Sequence, residues 1–216
     1  MKSFLLLLSI LFVVITHSQE IITDVSGNTY KTVKIGSQIW MAENFNVTSF
    51  RNGDPIQKVS NYEEWLDANN KEKPAWCFYG FDENNALYGK LYNWFAVNDS
   101  RGLAPKGWHI PSDTEWTNII NYFGDSEKAS YVLKSTNGWY NIVGKDCSGN
   151  NNSGLNIIPS GALYADGNFV SLREEAYFWS STQEDDVTAW YFYLNDKTSR
   201  AWNFHYAHLS LRCVKD

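Results

Sequence analysis

Residues 103–123 read LAPKGWHIPSDTEWTNIINYF, and the fold is read outward from them. Pro111 cannot continue a strand ladder. Ser112 followed by Glu115 is the S-x-x-E capping box, in which the hydroxyl accepts the Glu115 amide and the carboxylate reaches back to the cap amide. Trp116, Ile119, Ile120 and Phe123 then recur at i, i+3, i+4 and i+7, and Gly124 supplies the stop. The stretch therefore predicts a helix with one apolar face turned to a core, preceded by a short strand over 107–110.

Upstream, 24–47 predicts a β hairpin or meander with turns at Gly27-Asn28 and Gly36-Ser37. A weaker S-x-x-E start at Ser60 predicts a turn or two of helix through Leu66. Ala75–Tyr79 reads as a short buried strand, and Leu91–Val97 as helix because Leu87, Leu91, Trp94 and Phe95 fall near a helical period. The helical part of the chain thus spans 87–138, with Ser126 capping a further piece. From 155 to 216 the pattern turns to strands: LNIIP, then 168–172, 177–181, 189–194, 200–205 and 209–214. The order of β, then two to three short helices, then a strand-rich, mainly antiparallel C-terminal half predicts an α+β fold.

The first 18 residues read as a secretory signal peptide. Lys2 precedes the apolar run 4–15, and cleavage is expected near Ser18–Gln19, leaving 19–216 as one domain. The run is too short to span a membrane, and no cysteine follows it as a lipoprotein would need. Loss of Lys2 takes the formal charge from −6 to −7. Lys and Arg are scattered, so the chain lacks the dense basic patch that nucleic acid or an anionic membrane surface requires. The expected location is outside the cytoplasm: secreted, periplasmic or at the cell surface.

Ten Trp, thirteen Tyr and twelve Phe against two Met make the chain rich in rings. Such rings fill cores with few rotamers to freeze, and they also stack on sugars. Three cysteines enter an oxidising compartment if the leader is used. Cys77 (AWCFY) and Cys213 (LSLRCV) sit in candidate core strands and Cys147 in a polar loop, so the expected disulfide joins Cys77 to Cys213.

Seven ordered segments, IGSQIWMAENFNV, YGKLYNWFAV, LAPKGWHIPSDTEW, NSGLNIIPSGALYADGNF, YFWSST, AWYFYL and SLRCVKD, resemble the Fibrobacter succinogenes major paralogous (FISUMP) domain family over almost the whole mature chain. The resemblance implies a secreted or surface domain without an established activity. It also implies a C-type-lectin-like fold similar to that of formylglycine-generating enzymes, whose P-[ST]-x-x-E-W helix start is similar to HIPSDTEW here. Those enzymes use two closely spaced cysteines near the C-terminus. Cys213 stands alone there, so formylglycine chemistry is not expected.

No catalytic motif emerges. His109, His205 and His208 lack ligand spacing for zinc, and Ser180, Ser181 and Cys147 lack the context of an activated nucleophile. Candidate binding residues are the loop and strand aromatics Trp139, Tyr164, Trp190 and Trp202, with Arg173 and Asp185 as polar partners. Asp146, Glu184, Asp185 and Asp186 offer hard oxygens to calcium, but at no recognised spacing; no cofactor is otherwise expected. The function expected is non-catalytic recognition of a glycan or a surface protein. The alternative is an enzyme related to the sulfatase-modifying family with a rebuilt site.

Overall fold

The computed structural model describes residues 20–140 and 146–216; the expected leader lies outside them. The N-terminal part comprises β1 (Ile21–Thr23), β2 (Thr29–Ile35), β3 (Gln38–Met41) and β4 (Gln57–Lys58). It is followed by α1 (Tyr62–Asn70), β5 (Ala75–Cys77), β6 (Leu91–Tyr92), α2 (Trp94–Val97) and β7 (Trp108–His109). Then come α3 (Asp113–Phe123), α4 (Ser126–Leu133), β8 (Ala162–Leu163) and β9 (Phe169–Val170). The chain closes with β10 (Ala176–Gln183), β11 (Thr188–Leu194), β12 (Thr198–Phe204) and β13 (Val214–Lys215). The fold is α+β, with four short α-helices among the described residues where two to three were expected.

A five-stranded antiparallel sheet has the order β1-β2-β3-β13-β7, so the last strand is inserted between early ones. A second sheet, β10-β11-β12, is antiparallel, and β4-β5-β6 and β8-β9 are small separate ladders. The 36–37 turn joins β2 to β3 as its glycine predicts. LNIIP forms no strand; Ile157 makes a single bridge to Lys134.

Helix α3 starts where the capping box places it. Ser112 Oγ accepts the Glu115 amide at 3.3 Å while Glu115 Oε2 accepts the Ser112 amide at 2.8 Å. Its apolar face packs on β10 and β11: the Trp116 ring stacks on Phe192 at 4.7 Å and meets Trp40 at 4.8 Å. Glu115 also faces His109 Nε2 at 2.9 Å, and His109 Nδ1 faces Asp216 at 2.7 Å, so the box, β7 and the C-terminus form one network.

Three helix expectations need correction, the first being that Asp125 and not Ser126 caps α4, accepting the Lys128 amide at 2.8 Å. Residues 91–97 are not continuous helix: Leu91–Tyr92 pair with β5, and Asn93 then caps α2 by accepting the Ala96 amide. The S-x-x-E at 60–63 is displaced by one residue, because Asn61 caps α1 and accepts the Glu64 amide at 2.9 Å.

Arg212, fully buried, ties the two halves together. Its Nη1 donates to the Met41 and Leu155 carbonyls at 3.0 and 2.9 Å, its Nε to Asn44 Oδ1 at 3.0 Å, and its Nη2 to the Asn156 carbonyl at 3.3 Å. Burial pulls the guanidinium pKa down to about 9, so it remains charged at neutral pH.

Candidate functional site

The candidate residues separate into groups rather than one platform. Trp139 is buried at 4 % exposure; its indole N–H donates to Ser135 Oγ at 3.0 Å and Lys134 Nζ lies 4.1 Å from the ring. It is a core residue, because the chain after α4 folds back onto the 155–159 segment and covers the ring. Arg173 lies on the same side: its backbone carbonyl accepts the Tyr140 amide, and its guanidinium sits 5.9 Å from the Tyr140 ring. Tyr164 is half-buried on the other face of the β10–β12 sheet, edge-on to Tyr177 at 5.8 Å.

Trp190 and Trp202 do come together, directly opposite each other across β11 and β12. The Arg200 guanidinium lies 3.7 Å over the half-buried Trp190 ring and pairs with Asp113 at 3.1 Å, so that face is already occupied. Trp202, 53 % exposed, is the accessible one. Asp185 spends its carboxylate on the β10–β11 turn, where Oδ1 accepts the Val187 and Thr188 amides and the Thr188 hydroxyl at 2.8–2.9 Å. Those bonds, the Val187 amide first, hold its pKa below the usual carboxylate range. Asp146 is used in the same way, accepting the Ser148 amide at 2.8 Å. Among the described residues no three His, Cys, Asp or Glu side chains are grouped to hold a metal.

The expected Cys77–Cys213 disulfide is not formed: both are free, buried thiols. The two belong to different core clusters, Cys77 beside Trp65 and Leu163, Cys213 beside Phe45 and Tyr92. Burial pushes both thiols up and keeps them protonated.

Sequence reasoning missed what lies beyond Trp202. Trp202 and Phe204 alternate at the end of β12 and Tyr206 follows in the turn beyond it, with Phe204 37 % exposed and stacked on Tyr206 at 5.3 Å. Tyr206 lines a pocket of about 400 Å³ where four segments meet. The end of α1 contributes Asn69 and Glu72, α2 contributes Trp94 and Phe95, the β10–β11 turn contributes Asp186 and Val187, and β12 leads into His205 and Tyr206. Trp94 is fixed because its indole donates to the Ser180 carbonyl at 3.2 Å, and His205 stacks on it at 4.3 Å and 18°. Burial lowers the His205 pKa, against a hydrogen bond to the Thr188 backbone and the charge of Asp185, so the imidazole is neutral at pH 7. Its Nε2 has no partner among the described residues, nor has either polar atom of the Asn69 amide. The i, i+2, i+4 aromatic spacing at 202–206 was the available signal; the partners from α1 and α2 lie over 100 positions away and left none.

No curated protein and no solved structure matches the chain. The family described as the Fibrobacter succinogenes major domain matches residues 33–215, from β2 to β13, taking in the pocket and the aromatic row. The chain belongs to the Fibrobacter succinogenes major domain family.

Proposed function

We propose that this protein is a non-catalytic recognition module, acting outside the cytoplasm, that binds a glycan at the open pocket beside Trp202, Phe204 and Tyr206. The observation that carries the reading is a polar pocket of about 400 Å³ lined by Tyr206, the end of an exposed aromatic row in which Phe204 stacks on the Tyr206 ring. Sugar rings lay their axial C–H bonds on aromatic faces while their hydroxyls pair sideways, and a concave site with a few convergent polar groups suits that mode. A lectin-like fold agrees with the reading, as does the leader expected at 1–18, whose use is tested by N-terminal sequencing of the secreted product.

Binding of the purified protein to immobilised polysaccharides, first with calcium and then with chelator, tests the proposal. Binding is expected to survive chelation. Trp202→Ala and Phe204→Ala, both at exposed positions, are each expected to weaken it by about 1 kcal/mol, roughly fivefold. Absence of binding, or variants that bind like the parent, refutes it.

His205 favours a second reading, an enzyme with a rebuilt site. A neutral imidazole with an unpartnered nitrogen beside an open pocket has the form of a general base. Release of reducing ends from a bound polysaccharide, abolished in His205→Asn, would establish it in place of the first.

A further inference from the structure

Seven buried side-chain polar atoms lack a hydrogen-bond partner among the described residues. Four of them, Trp65 Nε1, the two atoms of the Asn69 amide and His205 Nε2, belong to three residues lining two adjoining pockets. The second pocket, about 330 Å³, lies between α1 and the 165–166 turn and shares Asn69 and Tyr206 with the first. Native interiors leave few such atoms unpaired, and these four are closed off from solvent as they stand, so their concentration here points to a ligand whose binding turns them toward it. Trp65 supplies a donor, His205 an acceptor in one tautomer, and Asn69 one of each kind. A hydroxyl both donates and accepts, so neighbouring hydroxyls match this mixture, whereas an anionic group accepts only.

The charge of the lining points the same way. Glu72, Asp99 and Asp186 line the first pocket and Asp166 the second, and neither lining contains Lys or Arg. Asp99 shares its charge with Arg101 at 2.8 Å; Glu72, Asp166 and Asp186 set the sign of the rest. An anionic ligand inside the groove would sit within one Debye length of them, about 8–10 Å, and be repelled.

Resting on the glycan reading above, we propose that the two pockets form one groove that takes adjacent units of an uncharged, hydroxyl-rich polysaccharide across Tyr206 and excludes uronate polymers. Calorimetric titration of the purified protein with cello-, xylo- and mannohexaose, and with hexagalacturonate and hexamannuronate, tests it. At least one neutral hexasaccharide is expected to bind, with both uronates at least tenfold weaker. Glu72→Gln with Asp186→Asn, at exposed positions that leave the core untouched, is expected to narrow that gap. Asn69→Leu is expected to weaken neutral binding tenfold or more. If that variant melts early, Tyr206→Ala, at a half-exposed position, takes its place with the same expectation. Uronates bound as tightly as neutral sugars, a gap unchanged by the rim variant, or neutral binding indifferent to both groove variants overturns the inference and leaves the glycan reading standing. Failure of all five hexasaccharides to bind removes both.

Discussion

Replacing Arg212 by Met tests whether one buried guanidinium holds the two halves of the fold in register. The side chain is fully buried and donates to three backbone carbonyls and one amide oxygen, at 2.9–3.3 Å. Methionine preserves most of the stem's packing and deletes every donor, leaving acceptors of Met41, Asn44 and Leu155 in the interior and that of Asn156 part-buried. A buried acceptor without a donor costs about 1–3 kcal/mol, which for the three interior ones gives roughly 3–9. Against this, a charge no longer has to be buried, and mutational experience with broken buried charge networks brings the net to about 3–5 kcal/mol. For a domain stable by about 5–15 kcal/mol that is a large part of the whole. Urea titration followed by Trp fluorescence should show a lower midpoint at unchanged slope. Arg212→Lys should lose nearly as much, since a compact ammonium cannot span four acceptors on two segments. An Arg212→Met midpoint equivalent to less than about 1 kcal/mol of loss refutes the reasoning, because the four acceptors would then have found other donors.

Ser112→Ala removes one half of the capping box and should cost about 1 kcal/mol, read as a lower urea midpoint, with Ser112→Asp recovering most of it. In the His109 network, burial opposes the charged ring, but Asp216 and Glu115 outweigh it and raise the pKa; its contribution is complete below about pH 6.5 and is lost as pH rises through the raised folded value. Burial likewise opposes the Glu115 carboxylate, but Ser112 and His109 prevail and lower its pKa, so that contribution is lost as pH falls through the acid range. Melting temperature against pH should therefore peak between these limits, and Asp216→Asn should flatten the alkaline side; an unaltered profile rejects the network. A thiol reagent should leave Cys77 and Cys213 unmodified in the native protein and label both after denaturation, whereas a non-reducing peptide map linking them would contradict the free-thiol state.

What could be read in advance was whatever short-range chemistry controls. The Ser112–Glu115 box fixed α3 because a cap and its reciprocal carboxylate are three residues apart and need no tertiary partner. The 91–97 segment misled because its apolar spacing suits a helix, while the decisive features were Asn93 as a cap and the β5 edge waiting for Leu91 and Tyr92. The same competition moved two starts by one residue, with Asn61 and Asp125 capping where Ser60 and Ser126 were expected to. At the site, Trp202 was visible as an aromatic, but its exposure against the burial of Trp139 is a property of packing. Asn69, Trp94 and His205 meet only because α1, α2 and β12 converge, and no local pattern encodes that meeting.

The position of β13 bears on how the chain comes to be folded at all. Val214 pairs with Trp40 on one side and His109 on the other, a separation of 214 − 40 = 174 residues for the first contact. Until β13 is available, β3 and β7 have no strand between them to join, and the main sheet stays open as two fragments. Folding therefore includes a costly long-range closure, which makes for slow acquisition of structure. The sheet gains its register from a search along the chain and not from the growth of any local element.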